Sequence, residues 1–206
     1  MATNNVSEFL KTINQGIKPN MFSVDISFPD GFETGDQIKK LTNILCKSAA
    51  LPGSNLGVIE VPFRGRTVKI AGDRTFDTWT ATFFADSNMD VRGLFEEWAN
   101  NINTHEANTA TRFLPNTTES NGYMADLFVS QLEKDDQAGG SVIRTYQLHH
   151  CFPTNVSAID LAYDSNDQIS EFTVEWQYSF FTASAGLSTK AGGAPLSTGA
   201  SPRVVV

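Results

Sequence analysis

His149-His150 is the first pair of side chains in this chain that invites a catalytic or metal-binding reading. Imidazoles ligate zinc and move protons near neutral pH. The pair lies in an alternating apolar run, so strand geometry predicts the two rings on opposite faces, unable to share an ion. His105 stands far off in sequence, with no Cys or His at ligand spacing. Cys46 and Cys151 are not in a CxxC pattern, and each sits in a strand-like apolar run. They read as buried free thiols, too few for a disulfide framework. Glu96-Glu97 and Asp135-Asp136 are adjacent carboxylates, which solvated faces and turns explain better than acid–base work. No GxSxG, P-loop or GxGxxG occurs. The sequence therefore predicts no catalytic site, no metal and no cofactor.

Charge points the same way. The chain has 206 residues, a formal net charge of −8, and Lys39-Lys40 as its densest basic cluster. Proteins that grip nucleic acid present a basic face, because phosphate contacts supply most of their affinity. This chain has none, although an acidic protein can still let DNA slide past. Charged residues make up 18%, below the roughly 25% usual for a soluble domain. That deficit fits either an ordinary β-rich domain or a subunit that buries surface against copies of itself. Met1–Asn20 has no apolar signal segment and no run approaches 18 apolar residues, so synthesis in a cytoplasm without a membrane anchor is expected.

The elements follow from periodicity. Residues 1–19 read as a polar arm, with Ser7 capping a short helix that carries Phe9, Leu10 and Ile13. Phe22, Val24, Ile26 and Phe28 alternate as a strand. Leu41–Ala50 reads as a second strand. Val58–Val61 and Thr67–Ile70 are short β runs, and Ala71-Gly72-Asp73-Arg74 reads as a turn. Thr75–Ala85 reads as a long strand, with Asp77, Trp79, Ala81 and Phe83 on one face. Its other face carries Thr78, Thr80 and Thr82 and suits water or a polar lumen. A helix over about Asn88–Asn103 is predicted from Val91, Leu94, Phe95, Trp98 and Ile102, with Ser87 and Asp90 as a capping-box-like start. His105–Gly122 is a polar loop. Tyr123–Glu133 and Val142–Phe152 form a hairpin. Phe172, Val174, Trp176, Tyr178 and Phe180 mark the last strand. The fold expected is mainly β, a single barrel or sandwich of seven or eight strands over residues 20–181 with one flanking helix. Residues 182–206 are Ala/Ser/Gly/Thr-rich and cannot build a core of their own.

Ala71-Gly72-Asp73-Arg74-Thr75-Phe76-Asp77-Thr78-Trp79 resembles a segment of the tail-tube proteins of contractile-tailed bacteriophages. Cys46-Lys47-Ser48-Ala49-Ala50-Leu51-Pro52-Gly53 is similar to that family's "CKxxxLPG"-type strand end. Pro153-Thr154-Asn155-Val156, with Leu161, Tyr163–Ile169 and Phe172–Val174, looks like its closing stretch. The three occur in the family's order, and the resemblance covers roughly Asn20–Phe181. The chain departs from the pattern in its larger His105–Asn121 loop and its C-terminal extension.

The resemblance implies a structural virion protein, not an enzyme. Six subunits would close into a ring, each giving about four strands to a shared inner barrel. Rings would stack helically as the inner tube of a contractile tail, the conduit for genome ejection. Partners would be other copies of the chain, the tail sheath protein, baseplate and tail-terminator proteins, and DNA in non-specific passage. Thr78, Thr80 and Thr82 become the candidate lumen face. Leu51–Arg66 becomes the candidate ring-to-ring segment, with Pro52, Gly53, Asn55, Arg64, Arg66, Asp73 and Arg74 as candidate contacts. Residues 182–206 are a second candidate for contact between subunits. The alternative is the tube protein of a contractile injection system, of the type VI secretion or phage-tail-like bacteriocin kind. A tube initiator or baseplate hub would need an extra domain.

Overall fold

Phe172, Val174 and Trp176 are buried while Thr173, Glu175 and Gln177 between them are half-exposed, the signature of a strand with one face on a core. A computed structural model describes residues 6–13, 16–29, 32, 36–110, 122–133 and 141–185. Among them the helices are α1 (Val6–Ile13), α2 (Asp36–Leu45) and α3 (Asp90–Ile102). The strands are β1 (Phe22–Ile26), β2 (Cys46–Ala49), β3 (Asn55–Phe63), β4 (Arg66–Thr75), β5 (Trp79–Phe84), β6 (Ala125–Glu133), β7 (Ser141–Val156), β8 (Glu171–Gln177) and β9 (Phe180–Ala185). The mainly β, single-core architecture expected from the sequence is the one observed.

All pairings are antiparallel, and the seven-stranded sheet runs β1-β6-β7-β8-β5-β2, with β9 added on β7. Strand β7 serves two groups. Its first half pairs β6 on one side and β9 on the other, while Phe152–Val156 pairs β8. Between the halves lies a bulge, where the register to β6 shifts between Ala125 and Leu127 and His150 takes φ 57°. The extra residue bends the strand. Both groups then turn their apolar faces inward, Val24, Leu127, Val129 and Leu148 from one and Trp79, Phe83, Phe172 and Trp176 from the other. Helix α3 adds Val91, Phe95 and Trp98, and the Phe95 ring lies 5.4 Å from Phe83 and 5.6 Å from Trp176. The Trp98 indole donates to the Tyr123 carbonyl at 2.8 Å, so this large side chain is buried without an orphaned donor.

Several local expectations need correction. Leu41–Ala50 is not one strand: α2 runs to Leu45 and only Cys46–Ala49 is extended. Leu41, Thr42 and Leu45 turn inward at helical spacing, and Ile44 faces solvent. Ala71–Arg74 is not a turn but the interior of β4. Gly72 serves close approach there, since a Cβ on it would meet the backbone of Gly57 at 3.2 Å. The predicted long strand is interrupted at 76–78, and only Trp79–Phe84 forms β5. The run ending in Phe180 divides into β8 and β9, and β9 crosses to β7. Strand β9 extends to Ala185, and residues 186–206, most of the expected C-terminal extension, lie outside the described residues. Ser7 stands inside α1 rather than capping it.

Nor does Ser87 cap α3. Met89 at the helix start is left-handed and makes no side-chain cap, whereas the Asp86 carboxylate accepts from the amides of Asp90 (3.1 Å) and Val91 (3.4 Å). Asp86→Ala should cost about 1 kcal/mol, and Ser87→Ala should stay within about 0.5 kcal/mol. Urea unfolding of the two variants checks this ranking.

Candidate functional site

Among the described residues the hairpin β3–β4 pairs with no other strand. Its root is tied to the core by side chains from the segments that carry the family resemblance. The Trp79 indole donates to the Ala50 carbonyl at 2.6 Å, and the Tyr178 hydroxyl to the Gly53 carbonyl at 3.3 Å. Arg74 donates to Ser54 Oγ at 3.1 Å, and Asn55 to the Asp77 carboxylate at 2.7 Å. Phe76 packs on Tyr178 and Phe181. Burial first, and then the charge of Asp77, pushes the Tyr178 phenol above its ordinary value. Asp73 and Arg74 are neighbours in a strand and point to opposite faces, so the ion pair suggested by their adjacency does not form. Arg74 binds Ser54 instead.

Beyond the root the hairpin is a free blade. Ile59 pairs Ile70, Val61 pairs Val68, and Phe63 pairs Arg66, which puts five apolar side chains on one face. The other face carries the Glu60–Lys69 ion pair at 3.5 Å, with Pro62 opposite Thr67. The alternation is that of a strand pair with a core on one side, yet none of the described core residues lies there. Phe63 is 62% exposed and Ile59 54%. The tip is a two-residue turn, Arg64-Gly65, with φ 46° and 81°. Both residues have positive φ, as the tightest hairpin turns require. Glycine adopts this freely, whereas arginine is strained by it. The Arg64 guanidinium lies over the Phe63 ring, 5.4 Å from its centroid.

A second feature is the polar face of β5 and β8. Thr80 stands opposite Glu175 and Thr82 opposite Thr173, and the two hydroxyls of the latter pair lie 3.1 Å apart. Gln177 donates to Thr78 Oγ1 at 2.8 Å. Thr78, Thr80 and Thr82 therefore do share a face. On the same face Lys47 lies over the Phe84 ring and is held by the Glu171 carboxylate at 2.5 Å.

Residues 17–184 match the phage tail tube protein family. The tail tube protein gp19 of Enterobacteria phage T4 is 32% identical over 157 residues, 76% of this chain and 85% of that relative. The chain belongs to the phage tail tube protein family. The tail tube protein of Serratia phage KSP90 is 28% identical over 181 residues, 86% of this chain and 95% of its own. The fold is shared with the PVC sheath-tube complex of an extracellular contractile injection system, at TM-score 0.57 and 17% identity, covering 89% of this chain and 99% of that one. It is shared also with the cap of the anti-feeding prophage, at TM-score 0.56 and 18% identity, covering 82% and 91%.

The histidines of this tail tube chain need one correction. The bulge at His150 rotates that side chain, so both rings approach Phe180, His149 at 4.6 Å and His150 at 5.9 Å. Strict alternation fails where the strand is bulged. His149 lies between Asp126 Oδ2 (3.2 Å) and Thr182 Oγ1 (3.1 Å), an order of side chains that could relay a proton. The carboxylate is already committed, accepting from the His150 amide at 3.1 Å and from Gln147 at 2.9 Å. The cluster thus staples β9 and the bulge to β6. Among the described residues no group of three or more His, Cys, Asp or Glu could hold a metal, and no helix is long and apolar enough to cross a membrane.

Cys46 and Cys151 are free thiols, and burial pushes each from the ordinary 9.0 up to about 12. The folded chain keeps these protons while the unfolded chain releases them above pH 9. Their contribution to stability is therefore whole below pH 9 and is lost as pH rises toward 12. Alkylation by iodoacetamide at pH 8 should be about a thousandfold slower in the folded than in the urea-unfolded chain. Mass spectrometry of timed quenches measures the ratio.

Proposed function

We propose that this tail tube protein closes into six-membered rings that stack as the inner tube of a contractile tail, and that the phage genome leaves through the bore. The observation that carries the reading is the β3–β4 blade. An isolated two-stranded hairpin is at best marginally stable in water, and an exposed apolar face needs a partner. A blade rooted by four side-chain hydrogen bonds and bare beyond them fits a contact completed by another copy. Gly53, Asn55 and Arg74 supply root bonds with Pro52 and Asp73 adjacent in sequence, and Arg64 and Arg66 crown the tip.

The bore falls to the four-stranded group formed by β2, β5, β8 and the second half of β7. Among the described residues β2 is an edge, bonded only to β5, and Phe152–Val156 bonds only to β8. Joining those edges between neighbours would continue the sheet around a ring and remove both. Such a head-to-tail contact closes by rotation, whereas ring-to-ring stacking does not close and makes a filament. The lining would be Thr78, Thr80, Thr82, Thr173, Glu175 and Gln177, with Lys47 held by Glu171 on the same face, which leaves sliding phosphates little positive charge to bind. The sheath, baseplate and terminator proteins are the further partners. The role is mechanical and needs no catalysis. A tube in an injection system would share the fold, but the sequence relatives are phage proteins.

Negative-stain microscopy of purified protein should show rings or tubes with a central hole, and a monomer under all conditions would refute the reading. Val61→Asp with Phe63→Asp should abolish stacking while the monomer's stability changes by no more than about 1 kcal/mol, since neither side chain is in the core. In phage, Thr80→Lys with Thr173→Lys should leave tubes intact and slow DNA ejection, with the delay shrinking as salt is raised.

A further inference from the structure

Strand register fixes where the blade leaves the domain. Strand β5 runs from Trp79, opposite Trp176, to Phe84, opposite Glu171. The hairpin root sits at the Trp79 end, beside Tyr178 and Asp77. The long connection from β7 to β8, residues 157–170, arrives at Glu171 and so occupies the other end, roughly 17 Å away along the strand. It contains no helix or strand.

This connection presents Leu161, Tyr163 and Ile169 to solvent, with Tyr163 at 108% exposure. They surround an open hollow of about 700 Å³ whose walls include Ile159, Asp160 and Glu171. Between Ser157 and Ser170 the only charges are Asp160, Asp164 and Asp167. The blade has the opposite character. Arg64, Arg66, Lys69 and Arg74 outnumber Glu60 and Asp73, and its apolar face is bare. Arg64 also holds the positive φ of the tip, where glycine or asparagine would be unstrained, so the strain keeps a cation at the leading point of the blade.

We propose that the 159–169 connection of one copy is the receptor for the β3–β4 blade of a copy in the adjacent ring. Phe63, Val61 and Ile59 pack against Leu161, Tyr163 and Ile169, and Arg64 and Arg66 meet Asp160 and Asp164. Donor and receptor lie at opposite ends of one domain, so the contact repeats by translation and never closes. The inference rests on the stacking reading and adds its receiving surface.

The test uses the full chain with Val68→Cys, exposed on the blade's apolar face, and Ser165→Cys, exposed on the connection, assembled and treated with a short bismaleimide. Cys46 and Cys151 are present in every chain and set the background. The expected result is a denaturing-gel ladder that runs far past one ring's worth of subunits, with dimers at most from either single variant. Normal tubes in the microscope without a ladder would overturn the receptor and leave stacking intact. A ladder that stops at one ring would place the contact within the ring and overturn it equally. No tubes from the unsubstituted chain would overturn both readings. Should the double variant itself not assemble, charge exchange decides. Arg64→Glu with Arg66→Glu, and Asp160→Lys with Asp164→Lys, should each raise the critical concentration at least about tenfold. The combined variant should recover most of that loss, and no recovery would overturn the receptor.

Discussion

Strand β7 runs for 16 residues, and a strand that long cannot stay straight while its sheet wraps a core. The bend at His150 resolves this. Asp126 reaches across from β6 to hold the bulged amide, and His149 and Phe180 close over it from the β9 side. With that corner fixed, the first half of β7 lies against β6 and β9 and the second against β8. The aromatic side chains of both then converge with those of α3. The four-stranded polar face and the anchored root of the blade depend on this placement, because Trp79 and Tyr178 reach Ala50 and Gly53 from positions the core has already set.

Much of this was legible in the sequence. Alternation in β5 and β8 was unambiguous because each has a buried face of large aromatic residues. The α3 stripe was equally clear. The misreadings have physical causes. Leu41 to Cys46 is apolar enough for strand or helix, and short runs do not separate the two periods. Gly72-Asp73 carries turn composition, but its glycine serves a close backbone approach across a bulge. Strand β9 hides in a Thr/Ala/Ser run because as an outer strand it needs few large side chains. The regular spacing of Tyr178 and Phe180 also continues past the break.

The candidate site was legible in a different sense. Resemblance located Leu51–Arg66 and the three threonines, but the bare apolar face of the blade was not foreseen. Alternation in sequence signals a buried face without saying whose surface buries it. Ile59, Val61 and Phe63 alternate as core residues do, and none of the described core residues lies at their position. The exposed connection of Leu161, Tyr163 and Ile169 has the acidic, turn-rich composition of an ordinary loop, which hides its apolar side chains from a reading by periodicity.

The blade and the 157–170 connection leave the domain at opposite ends, and that gives any assembly of like-oriented copies a direction. Such a filament has two chemically distinct extremities, one offering cationic apolar fingers and the other acidic hollows. A factor that starts growth and a factor that stops it would therefore have to be built as mirror opposites, one imitating the receiving end and the other the giving end. Length control becomes a matter of which extremity is hidden first.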